Sequence, residues 1–150
     1  MTDAIVISGA AAKGAFAAGA LAELLGPCGV KPTRLVGTSS GGLNAAYVSA
    51  YPDAPEGLID LWCDRASLLR VYAPPREARG LSGLRRVRAL VDEVLPRSGR
   101  GIDVRIVVAD LNGADGDIGG MPATTFERTV AFEKPDFGDV RTRCRLADAA

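Results

Sequence analysis

Within its first fifty residues the chain twice runs through the same series, a short apolar run, a glycine-bounded bend and a helical stretch, and this repetition constrains the fold most. Ala4-Ile5-Val6-Ile7-Ser8 lacks polar alternation, which fits a central strand covered on both faces. Gly9 to Gly14 breaks that run, and Ala15 to Leu25 follows with a helical stripe at Phe16, Leu21, Leu24 and Leu25. Gly26-Pro27 stops the helix, because proline cannot continue it. Leu35-Val36 opens a second strand, Gly37 to Gly42 turns the chain sharply, and Leu43 to Ala50 is helical again. Two such units in succession predict a parallel sheet in an α/β domain.

The stretch from 51 to 101 reads as a helical insertion in a single domain spanning 1–150. Tyr51-Pro52 and Pro74-Pro75 bracket a helix from Glu56 to about Leu69, and a second runs from about Leu84 to Leu95 before Pro96. Ile102 to Leu111 returns to a strand pattern. Asn112-Gly113 and Asp115-Gly116 are turn dipeptides, which predicts a hairpin with Thr124 to Phe132 as the returning strand. Arg145 to Ala150 begins a last helix.

Composition narrows the chemistry. With 47% hydrophobic and 24% charged residues, and 18 acidic side chains against 18 basic ones, the chain suits a folded, soluble domain of about average size. There is no histidine. A Ser-His-Asp triad, a Cys-His pair, a histidine-containing zinc site and a histidine pH switch are therefore excluded within these residues. Cys28, Cys63 and Cys144 are far apart and odd in number, which fits reduced, buried or half-buried thiols rather than a disulfide framework. Met1-Thr2-Asp3 lacks the basic start of a signal peptide, and no run reaches the roughly 18 apolar residues of a membrane span. The expectation is a cytoplasmic protein.

Gly37-Thr38-Ser39-Ser40-Gly41 matches G-x-S-x-G, in which a serine stands on a tight strand-to-helix turn. The helix N-terminus behind Ser39 would favour negative charge developing in acyl transfer. The same string also fits an ordinary glycine-rich turn in which Ser39 or Ser40 caps a helix. Gly9-Ala10-Ala11-Ala12-Lys13-Gly14 lies in the same setting, where backbone N–H groups present themselves to an anion. That anion could be an oxyanion or the phosphate of a dinucleotide. A nucleotide-dependent oxidoreductase of Rossmann type would place an acidic residue at the end of the second strand, where Gly37-Thr38-Ser39 stands, and the loop lacks the middle glycine of G-x-G-x-x-G. An oxyanion loop beside a serine elbow accounts for both bends together.

In order and separation the two motifs resemble the patatin-like phospholipase family of serine lipid acyl hydrolases. That family's glycine-rich oxyanion loop, G-G-G-x-[K/R]-G, corresponds to Gly9-Ala10-Ala11-Ala12-Lys13-Gly14. Its elbow corresponds to Gly37-Thr38-Ser39-Ser40-Gly41-Gly42-Leu43-Asn44-Ala45-Ala46. Ile106 to Gly113 and Arg145 to Ala149 look like the family's later strand and following helix, so the likeness spans nearly the whole chain. The resemblance implies a three-layer α/β sandwich around a mostly parallel sheet, no cofactor and no metal, and a fatty-acyl ester of a phospholipid or lysophospholipid as substrate. It implies that Ser39 is the nucleophile, that Gly9, Ala10, Ala11, Lys13 and Gly14 line the oxyanion hole, and that Gly37, Thr38, Ser40 and Gly41 form the elbow.

The family's catalytic base is an aspartate, which suits a chain without histidine. It belongs to a D-G-G or D-G-A motif after the helix that begins near Leu146, and residues 1–150 contain none there, so the base is expected outside them. Within them, Asp115-Gly116-Asp117 reads as a hairpin turn and Asp110 as a structural acceptor at a strand end. A catalytically inactive lipid-binding module that keeps both anion-holding loops is the alternative of another class. Between Arg65 and Arg105, ten arginines (65, 70, 76, 79, 85, 86, 88, 97, 100 and 105) face four acids (Glu77, Asp92, Glu93 and Asp103). Such a surface is either a solvated helical face or a peripheral contact with anionic headgroups. Few aromatics interleave it, so no nucleic-acid partner is expected.

Overall fold

A computed structural model describes residues 3–64, 84–109 and 127–149. Strand β1 (Ala4–Ile7) leads through a 3-10 turn, Ala11–Lys13, into helix α1 (Gly14–Leu25), and β2 (Arg34–Thr38) leads directly into α2 (Ser40–Ala50). Helices α3 (Gly57–Cys63) and α4 (Leu84–Val94), strands β3 (Asp103–Ala109) and β4 (Glu127–Phe132), and helix α5 (Val140–Ala149) follow. The strands lie in the order β1-β2-β3-β4, the first three parallel and β4 antiparallel to β3. This is an α/β fold with a mostly parallel sheet. The expected hairpin turn at Asn112-Gly113 and Asp115-Gly116 lies outside the described residues.

Strand alternation sorts the sheet into two unlike faces. Ile7, Leu35, Val104, Ile106 and Phe132 share one face through the strand registers, and all are buried in one core with Ala45, Val48 and Leu146 from the helices. On the other face Val6 is 75% exposed and Arg105 is exposed. Successive parallel strands stepping in one direction with one crossover hand put α1 and α2 on the same side. Among the described residues the helices therefore cover a single face, and β1 ends the strand order rather than occupying its centre. An unbroken apolar run does not by itself report coverage on both faces.

Four further expectations change. On α1 the inward side is Gly14, Ala18, Leu21 and Ala22, while Phe16 is 84% exposed and Leu24 is exposed. Small residues win that face because α2 and the Trp62 ring come close to it. Helix α3 ends at Cys63, where Asp64 turns extended, short of the expected Leu69. Helix α5 starts at Val140, five residues before the expected Arg145. Asp139 sets that start by accepting the Arg141 N–H at 3.1 Å and the Thr142 N–H at 3.0 Å. The three cysteines are free and exposed, not buried, since each stands on an outward position or a turn.

Two hydroxyls fix one end of α2. At its C-terminal end the Ser49 hydroxyl donates to the Ile102 carbonyl at 2.6 Å and the Tyr51 hydroxyl to the Val94 carbonyl at 2.7 Å, which ties it to the residue before β3 and to the end of α4. Buried Arg143 donates Nη1 to the Phe137 carbonyl at 2.6 Å and lies 3.7 Å from Asp92, which joins α5 to α4. No helix among the described residues is long and apolar enough to cross a membrane.

Candidate active site

Parallel pairing of β1 with β2, in the register Ile7↔Gly37, brings the bends that follow the two strands to one end of the sheet. In open α/β sheets that carboxyl end is where ligands bind. The bends touch. A Cβ placed on Gly9 would stand 2.9 Å from the Ser39 Cβ and 2.9 Å from the Thr38 carbonyl oxygen.

The elbow depends on two glycines. A side chain on Gly37 would run into the Gly41 carbonyl, and one on Gly41 into the Ile7 carbonyl, so α2 approaches both its own strand and β1 at backbone distance. Ser39 stands at the resulting corner with φ 54° and ψ −128°, a region that residues with a side chain rarely adopt. It occupies the cap position of α2, yet its hydroxyl makes no capping hydrogen bond. Ser40 is buried, and its oxygen accepts the Ala10 N–H at 3.1 Å. Neither serine hydroxyl is thus spent on capping, as an ordinary glycine-rich turn would have it.

The loop after β1 divides its amides. The Lys13 N–H donates to the Ala10 carbonyl at 2.9 Å, the Gly14 N–H turns back to Ala11 and Ala12, and the Ala10 N–H is held by Ser40. Ala11 and Ala12 open the 3-10 turn, so their N–H groups belong to the first-turn donors that no helical carbonyl can satisfy. Ala11 takes φ 47°, the left-handed region in which a glycine would be unstrained. Ser39 therefore stands where two helix N-termini, those of α1 and α2, meet.

A family model for patatin-like phospholipases matches residues 5–145. The chain belongs to that family. Neither a curated protein nor a solved structure matches it. At the level of the family, membership carries hydrolysis of lipid esters.

Set on the patatin-like frame, the expected elbow and oxyanion residues come together at one end of the sheet, but the amides of Ala10, Lys13 and Gly14 are already hydrogen-bonded within the protein and Lys13 is exposed. Asp110 and Asp115-Gly116-Asp117 lie outside the described residues, as does the 65–83 part of the arginine-rich stretch. Three groups beside the site were assigned no role from the sequence: the Ala12 amide, buried Asn44 and buried Trp62. Asn44 Nδ2 donates to the Gly14 carbonyl at 3.0 Å, and the Trp62 indole N–H donates to Asn44 Oδ1 at 2.7 Å. Asn44 lies in the elbow string, which was the available signal for it. A separate concavity of about 680 Å³, lined by Arg100, Asp103, Lys134, Asp136 and Arg145 among others, opens at the start of β3, the other end of the sheet from Ser39. Its mixed charges and distance from the elbow give it no part in the site.

Proposed function

We propose that this protein is a serine acyl hydrolase that cleaves fatty-acyl esters of phospholipids or lysophospholipids. The observation that carries the reading is the strained, uncapped Ser39 set against the amide-rich loop of β1. Ser39 Oγ attacks the ester carbonyl carbon, its proton passes to an aspartate carboxylate, and the carbonyl oxygen becomes an oxyanion. The amides of Gly9, Ala11 and Ala12, with the positive ends of two helices, supply the charge complement at the moment the oxyanion forms. Collapse of the tetrahedral species expels the alcohol, which recovers the proton, and leaves an acyl-serine. Water then hydrolyses the acyl-serine by the same route in reverse. An aspartate base suits a chain that has no histidine.

A fluorophosphonate probe tests this directly. The expected result is covalent labelling at Ser39, abolished in Ser39→Ala, with release of fatty acid from lysophospholipid lost in the same variant. Absence of labelling, or labelling that survives Ser39→Ala, overturns the proposal; lipid binding without turnover would instead favour the inactive binding module.

A further inference from the structure

Two side chains on the first two turns of α2 reach across to the bend after β1. Ser40 accepts the Ala10 N–H at 3.1 Å, and Asn44 donates to the Gly14 carbonyl at 3.0 Å. On α2 the two are one turn apart and face the same way, so they grip the loop at its start and at its end. Both are deeply buried, Ser40 at 3% and Asn44 at 0% exposure. A buried carboxamide is costly unless each end is bonded. Here each end is: the Trp62 N–H holds Oδ1, which turns Nδ2 toward Gly14. The Trp62 ring also lies directly on Gly14, 2.7 Å from where a Cβ there would stand, so the third helix closes the grip from behind.

The hydrogen bond to Ser40 has a second effect. It withdraws the Ala10 amide from any bound oxyanion and leaves those of Gly9, Ala11 and Ala12 at a height relative to Ser39 set by the Ser40 oxygen. We propose that Ser40 and Asn44 are positioning residues, a two-point brace that fixes the oxyanion loop against the nucleophile before substrate arrives. This rests on the acyl-hydrolase reading. The brace is a form of preorganisation: donors held where charge will develop favour the transition state over the ground state.

The test is steady-state hydrolysis of a short-chain 4-nitrophenyl ester by the protein and by Ser40→Ala, Ser40→Thr and Trp62→Phe. It is paired with inhibition by a trifluoromethyl ketone, which adds to a serine as an oxyanion, and by the matched methyl ketone, which serves as a ground-state analogue. Loss of one hydrogen bond predicts that Ser40→Ala lowers kcat by roughly 10-fold and the trifluoromethyl ketone's affinity by a similar factor, with KM and methyl-ketone binding changed by less than about two-fold. Ser40→Thr, which keeps the hydroxyl, restores most of the loss. Trp62→Phe, which removes the indole N–H together with part of the ring packed on Gly14, shifts kcat in the same direction by roughly 3-fold. Equal weakening of both ketones, or an unchanged kcat in folded Ser40→Ala, overturns the brace while leaving the acyl hydrolase intact. If the unmodified protein neither hydrolyses the ester nor binds the trifluoromethyl ketone more tightly, the acyl-hydrolase reading fails and the brace falls with it.

Discussion

Gly41 and Ala11 make opposite demands on the backbone around Ser39. At Gly41 even one methyl group would meet the Ile7 carbonyl, and both partners are backbone, so neither can swing aside. Gly41→Ala is expected to lower stability by more than about 2 kcal/mol, read as a fall in the urea midpoint at unchanged slope. At Ala11 the strain already exists, because φ 47° places an L-residue in the left-handed region at a cost of about 1–2 kcal/mol. Ala11→Gly relieves it but loosens the unfolded chain by up to about 1 kcal/mol, so the net change is expected to be a gain within about 1 kcal/mol. A clear loss in the same denaturation experiment would mean that the Ala11 methyl makes contacts worth more than the strain. The elbow glycines were legible in the sequence because close approach leaves only one residue type. Ser40 and Asn44 stand in the elbow string, but the partners of their hydrogen bonds were not legible, since a bond between residues thirty apart leaves no local pattern.

At the scale of elements, helix boundaries depart from their sequence signals where a side chain outvotes periodicity. Helix α5 shows this: Asp139 accepts bonds from the Thr142 hydroxyl and from the N–H groups of Arg141 and Thr142, and the helix begins directly after it. The Thr142 hydroxyl first, then the Arg141 amide, hold the Asp139 carboxyl below its ordinary 3.8. A carboxyl whose folded value is depressed contributes stability above its unfolded value and loses it as pH falls through the folded one. Asp139→Ala is therefore expected to lower Tm at pH 7, with the gap to the unmodified protein constant down to about pH 4 and closing below it. A gap that stays constant through that acid range would show that the carboxylate charge plays no part in the cap. Helix α1 departs for another reason. Its residues are apolar almost all round, so no stripe marks an inward side, and the choice falls to the small residues that let Trp62 and α2 approach.

For the molecule as a whole, the order of units along the chain was readable, since strand, bend and helix follow one another within a few residues. Which face each helix covers, and where β1 stands, depend on strand order, a property of distant pairing to which a run such as Ala4 to Ser8 is blind. That placement bears on how the proposed site would be lost. Among the described strands β1 is held by β2 alone, yet it delivers half of the site. Peeling of this one strand would silence chemistry while the rest of the sheet stayed intact. On the proposed function, thermal loss of ester hydrolysis is therefore expected to precede loss of the far-ultraviolet circular dichroism signal, and coincident midpoints would rule the sequence of events out. On that expectation β1 is a fuse, the part that would give way first and disarm the proposed site before the body of the protein is harmed.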